Sequence, residues 1–156
     1  MIIFSTYDEQ HMRRALKLAQ KAFERKEVPV GALVVGPDGT IIGRGYNKVE
    51  KYHQQSYHAE VIALNQAGKK LGDWRLNGCT LYVTLEPCKM CMGLIQLSRI
   101  SRVVYGARSK LFGYQLDKEG QSSLYKKDID VQEGLLAEQS AYLLKNFFKQ
   151  KRKNRD

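Results

Sequence analysis

The chain has 156 residues, 43% hydrophobic and 27% charged, the composition of one globular domain that can bury a core without disulfide staples. Collagen-like, low-complexity and wholly disordered classes are excluded, and the apolar-rich run at 28–35 is far shorter than the about 20 residues a membrane helix needs. Lys and Arg number 26 against 16 Asp and Glu, a formal charge of +10, which suits nucleic acid or an anionic membrane as partner, or simply a well-solvated surface.

In chain order, the opening Met1-Ile2-Ile3-Phe4-Ser5 lacks a cationic segment and a long apolar one, so it does not read as a secretory signal. Thr6-Tyr7-Asp8-Glu9 fits a capping box, and Met12, Ala15, Leu16, Ala19, Ala22 and Phe23 follow at helical spacing, predicting a helix over 7–25. Its other face carries Arg13, Arg14, Lys17 and Lys21 and reads as solvated. Residues 28–35 and 40–46 read as two strands joined by the turn Gly36-Pro37-Asp38-Gly39. A helix follows over about 58–70, weakened near its end by Gly68, then a strongly β-prone strand at 79–85. Pro87 suits the first turn of a helix running to about 99, and 102–105 form a fourth strand. The weakly patterned 106–133 read as loops with short pieces, and a last helix spans about 135–149. Alternating helices and strands from His58 onward imply a partly parallel sheet flanked by helices. No repeat or linker divides the chain, so 1–150 are assigned to one domain and 151–156 to a basic tail. From Lys145 onward six basic residues face one acidic one, a net +5 in the last twelve positions.

The three cysteines, Cys79, Cys88 and Cys91, form no disulfide framework and point to a reducing, cytoplasmic setting, where a C-x-x-C pair suits metal or redox chemistry. Cys88 and Cys91 stand at i and i+3 at the start of one predicted helix, and His58 opens another. Two thiolates and one imidazole suit Zn²⁺. Structural zinc is closed by four protein ligands, whereas catalytic zinc leaves a position for water. Cys79 is six strand residues from Leu85, roughly 20 Å at about 3.3 Å each, so it is read as a buried thiol outside the site. His53, in an irregular segment, stays open as a further ligand. Glu60 has two readings. It can stabilise a helix N-terminus, or, if His58 sits at the very tip of the helix, act as proton carrier beside an open zinc.

His58-Ala59-Glu60 followed by Pro87-Cys88-Lys89-Met90-Cys91 is the signature of the zinc nucleoside and nucleobase deaminases. The chain resembles their bacterial tRNA-specific adenosine deaminase branch at Glu27-Val28-Pro29-Val30-Gly31-Ala32, at Gly45-Tyr46-Asn47, through His58–Leu64 and Leu81–Cys88, and from Ser98-Arg99-Ile100 to Gly106-Ala107-Arg108, most of residues 6–115. The resemblance implies a cytidine-deaminase-like three-layer α/β/α domain around a mixed five-stranded sheet, one zinc per chain on His58, Cys88 and Cys91, and a homodimer. It further implies hydrolytic conversion of the wobble adenosine of a tRNA anticodon stem-loop to inosine by a zinc-activated water, with Glu60 catalytic. The backbone N–H groups of Ala59 and Cys88 then stabilise the developing oxygen charge. By the same resemblance Val30, Asn47, Arg108, Ser109, Phe148 and Lys149 are expected to contact substrate, although Asn47 by itself reads as a turn residue. No membrane partner is implied.

Two segments depart from the family. Gln54-Gln55-Ser56-Tyr57 stands where Asp-Pro-Thr is common, and Ser109 where Asp is common, followed by Lys110-Leu111-Phe112. Both segments resemble those that face RNA. Two other readings are a zinc-dependent deaminase of a free base or nucleoside, of guanine or cytidine type, and a non-catalytic zinc-stabilised RNA-binding subunit. The Val-Pro-Val-Gly-Ala and Ser-Arg-Ile pieces and the basic tail favour the tRNA branch, and the presence of Glu60 speaks against an inactive subunit.

Overall fold

The structure, a computed structural model, describes residues 2–116 and 129–155. It contains α1 (Thr6–Glu24), β1 (Gly31–Val35), β2 (Ile41–Tyr46), the short α2 (Val49–Tyr52), α3 (Ala59–Leu71), β3 (Thr80–Leu85), α4 (Lys89–Leu97), β4 (Arg102–Ala107), β5 (Asp130–Glu133) and α5 (Ala137–Lys153). The five strands form one sheet in the order β2-β1-β3-β4-β5; β1 runs antiparallel to β2 and β3, while β3, β4 and β5 are parallel. This is the expected mixed five-stranded sheet.

Strand alternation sorts the core into two layers. Ala32, Val34, Leu81, Val83, Val103 and Tyr105 face α3 and α4, packing on Ala59, Ala63, Leu64, Ala67, Met92 and Ile95. Leu33, Val35, Tyr82 and Val104 face the other way, onto Met12 and Ala15 of α1. α5 lies beside α1 on that side, with the buried Phe147 edge-on to Phe23. Gly43 and Gly45 let α3 lie directly on β2, since a Cβ at either would run into the carbonyl oxygen of Ala63 or Ala59. That contact fixes the tip of α3 against the end of the sheet.

Several boundaries differ from the sequence reading. The cap of α1 is one residue earlier: Ser5 accepts from Asp8 N–H at 3.0 Å and Asp8 returns the bond to Ser5 N–H at 3.0 Å. Asp8 is drawn there because its carboxylate also meets Arg102 at 2.7 and 3.0 Å and Tyr82 Oη at 2.6 Å. Glu9 instead pairs with Arg13 one turn on. Residues 28–30 lie before β1 rather than in it. Pro87 precedes the helix cap instead of occupying the first turn. α3 runs to Leu71, one residue past the expected end, and stops at the C-cap Gly72, in the left-handed region at φ 67°. Strand β5 emerges from 106–133, of which 117–128 lie outside the described residues. α5 continues to Lys153, carrying part of the basic run. Among the described residues no helix is long and apolar enough to cross a membrane.

Candidate active site

The N-termini of α3 and α4 come together, α3 entered from α2 through 53–57 and α4 directly from β3. His58 is the N-cap of α3, extended at φ −71° and ψ 152°, and Cys88 is the N-cap of α4 at φ −73° and ψ 172°. Neither side chain caps its own helix, and the two meet each other instead. Cys91 follows in the first turn of α4 and is buried. The three ligand atoms lie within 4.8 Å of one another. Cys88 Sγ and Cys91 Sγ stand 3.6 and 3.4 Å from His58 Nδ1. A tetrahedral ion with bonds of about 2.0–2.1 Å to nitrogen and 2.3 Å to sulfur needs about 3.5 Å between them. The donor set and its spacing therefore fit zinc.

The electrostatics agree. The Cys91 thiol hydrogen-bonds to the Cys88 sulfur and, with His58 alongside, holds the Cys88 thiol down to about 4. The same hydrogen bond, together with burial, pushes Cys91 up. Both sulfurs would bind zinc as thiolates, so metal binding releases thiol protons. His58 is raised by its bond to Cys88.

Glu60 is 4% exposed and hydrogen-bonded to Cys91, and burial raises its carboxyl above the ordinary value. Because His58 sits outside the helix proper, Glu60 faces the same site despite being only two residues away, which resolves the condition left open by helical spacing. Cys79 is buried with its thiol 3.9 Å from Asn77 O and lies outside the cluster, as the strand length predicts. His53 is exposed at the left-handed C-cap of α2 and is not among the clustered ligands.

The remaining expected site residues separate into two groups. Asn47 is near the cluster, because Lys48 N–H donates to the carbonyl of Tyr57, next to His58. Its Nδ2 donates to Val28 O at 3.3 Å, its Oδ1 accepts from Val49 N–H at 3.3 Å, and its own N–H donates to Val30 O. Val30 is buried. Ala59 opens α3, where a backbone N–H has no partner within the helix. Ser109 N–H donates to buried Glu86, and Ser109 Oγ accepts from Phe112 N–H. Arg108, exposed, makes a two-bond ion pair with Glu133 at 2.6 and 2.7 Å. Phe148 and Lys149 are exposed on α5, and among the described residues no ring contact or hydrogen bond joins them to the metal ligands. Two buried carboxylates beside the site, Glu27 and Glu86, carried no role in the sequence reading. The available signal was a charged residue abutting an apolar run, Glu86 directly before Pro87.

The cytidine and deoxycytidylate deaminase zinc-binding region matches residues 5–107. The tRNA-specific adenosine deaminase of Streptococcus pyogenes (serotype M18) is 42% identical over 152 residues, spanning 92% of this chain and 91% of that one. The enzyme of the same name from Bacillus subtilis (strain 168) is also 42% identical, spanning 96% and 94%. A structure solved in work on A-to-I editing by tRNA:A34 deaminases at the wobble position superposes with a TM-score of 0.78 at 37% identity, covering 86% of this chain and 99% of that one. A guanine deaminase from Nitrosomonas europaea also reaches 0.78, at 25% identity, covering 94% and 86%. With the matched region enclosing His58, Glu60, Cys88 and Cys91, and with relatives aligned nearly end to end, the chain belongs to the cytidine and deoxycytidylate deaminase zinc-binding family, in its tRNA-specific adenosine deaminase branch.

Proposed function

We propose that the chain hydrolyses adenosine to inosine at the wobble position of a tRNA anticodon, releasing ammonia, and that it works in the cytoplasm. The observation that carries this is the three-ligand cluster with buried Glu60 against Cys91, in a chain whose near-full-length relatives are named tRNA-specific adenosine deaminases and which superposes on a structure from work on tRNA:A34 deaminases at the wobble position. His58, Cys88 and Cys91 would hold the zinc, leaving a coordination position for water. Bound zinc would supply a Lewis acid that makes water a competent nucleophile near neutral pH.

The protein's own groups do the rest. Glu60, fixed by burial and the Cys91 contact, accepts a proton as water adds to C6 of adenine. It delivers that proton to the ring and assists the amine as the C6–N bond breaks. The N–H groups of Ala59 and Cys88 stabilise the oxygen that gains charge. Asn47 gives one amide hydrogen to Val28 and has a second for the flipped nucleoside. An anticodon loop offers an already unpaired base, which lowers the cost of extrusion, and its phosphates suit the +10 chain.

We also read the chain as a homodimer. Met90 and Leu97 of α4 are 43% and 50% exposed, and Gly93 between them opens onto free space. These positions share one helix face, an apolar stripe beside the active site suited to a second copy.

The test is nucleoside analysis of a tRNA pool and of an anticodon stem-loop after incubation with zinc-loaded enzyme, with Glu60→Ala alongside. Inosine is expected from both RNAs. The Glu60→Ala enzyme is expected to keep its zinc and lose roughly 10²–10⁴-fold in rate. Comparable efficiency on free guanine, adenosine or cytidine would instead favour a small-molecule deaminase, the activity named for the Nitrosomonas relative.

A further inference from the structure

Glu27 and Glu86 are 2% and 4% exposed, and among the described residues neither makes an ion pair. Burying a carboxylate without a counter-charge is costly unless its oxygens are hydrogen-bonded. Each accepts two backbone N–H groups, and each pair comes from one segment: the first turn of the short helix α2 for Glu27, and the loop 109–115 for Glu86. Glu27 takes Glu50 N–H at 2.8 Å and Lys51 N–H at 2.9 Å. Glu86 takes Ser109 N–H and Gln115 N–H, both at 3.1 Å.

Both segments end on the metal ligands. The first, 48–57, is closed by Lys48 N–H on Tyr57 O and leads directly into His58. The second, 109–115, is closed by Tyr114 N–H on Pro87 O at 3.0 Å and by a bridge between Gly113 and Cys88. Gly113 has no room for a Cβ, which would run into the Glu86 carboxylate. The two segments thus each border the ligand cluster, and each is anchored by a carboxylate that is not one of its ligands.

What the segments present is suited to single-stranded RNA. The first carries Tyr52 stacked on Tyr57 at 4.3 Å, with Lys51 over Tyr52 and Lys48 over Tyr46. The second carries Lys110, with Leu111 79% and Phe112 74% exposed. Rings for bases and cations for phosphates are the means by which unpaired loops are gripped.

We propose that Glu27 and Glu86 are positioning residues, two buried clasps that hold these segments in the shape that engages the RNA flanking the reacting base. The inference rests on the tRNA reading above. A charge-assisted bond to backbone N–H is stronger than a neutral one. Glutamine at either position would keep one acceptor and set an NH2 against the second N–H. The segment would loosen while the zinc ligands and Glu60 stayed in place.

The experiment uses zinc-loaded Glu27→Gln and Glu86→Gln enzymes and an anticodon stem-loop. Amide exchange is expected to quicken at Glu50 and Lys51 in the first variant only, and at Ser109 and Gln115 in the second only. KM for the stem-loop is expected to rise on the order of 10-fold, with zinc content and kcat held within about twofold. If a Gln variant fails to fold, Glu27→Asp or Glu86→Asp, which keep the charge but lose one methylene of reach, carry the same readouts. Unchanged exchange, unchanged KM, a fall confined to kcat, or loss of zinc would each overturn the proposal. A wild-type enzyme inactive on the stem-loop would instead overturn the tRNA reading itself.

Discussion

The basic end of α5 carries a quantitative prediction. At 3.6 residues per turn, successive residues are about 100° apart. Lys145, Lys149 and Arg152 therefore fall within an arc of about 60°, with Lys153 just beyond one edge and Phe148 just beyond the other. Phe147 points to the opposite side, where it is buried against Phe23, and Lys151 follows it, its ammonium 5.9 Å from that ring. One stripe of cations with an exposed aromatic beside it is thus free to meet RNA. Replacing Lys149, Arg152 and Lys153 by Gln removes up to three phosphate contacts and keeps good helix formers. Each contact to a single strand contributes about 0.7 to the slope of log K against log salt, so the slope falls by about 2. Between 50 and 200 mM salt, that difference makes the wild type lose about twentyfold more affinity than the variant. The assay is titration of a labelled anticodon stem-loop across that salt range, with circular dichroism to confirm that α5 remains helical. An unchanged slope would refute the reasoning, leaving the stripe as a solvated face and moving the footprint to Arg13, Arg14 and Lys17 of α1.

Cys88→Ser is expected to lower bound zinc well below one per chain, whereas Cys79→Ser, changing a thiol outside the cluster, keeps it; metal analysis showing the reverse would refute the three-ligand site. Asp8→Asn breaks the pair with Arg102 and the bond from Tyr82, at a cost of about 3 kcal/mol at pH 7, or about 6–12 °C in Tm for a chain of this size. Arg102 beside Asp8 holds its carboxyl well below the ordinary range. Its stabilisation is therefore fully present above the unfolded value of about 3.9 and is lost as pH falls toward the lower folded one. The gap between wild type and variant is accordingly expected to narrow from pH 7 to pH 3, and a gap that stays constant would show that the charge is not what stabilises.

The residues alone determined those features whose physics is local. The spacing from Met12 to Phe23 specifies α1, Gly36-Pro37-Asp38-Gly39 specifies the hairpin, and the two half-motifs specify ligand types at two helix tips. Zinc chemistry was legible because sulfur and imidazole at those spacings have few other uses. Tertiary structure decided what depends on partners distant in sequence. Asp8 rather than Glu9 completes the cap of α1 because Arg102 and Tyr82, 94 and 74 residues away, reach it. β5 is four mostly polar residues with no strand pattern of their own. It pairs with β4, and Gln132 and Glu133 bond to Arg102 and Tyr105. Helical spacing alone turns Glu60 away from His58; the extended backbone at the N-cap brings them together. Nothing within four residues of Glu27 or Glu86 supplies their partners, which come from 23 to 29 residues away once the fold has assembled. A side chain's neighbours within four residues are written in the chain, whereas burial and long-range hydrogen bonds exist only once the sheet has assembled.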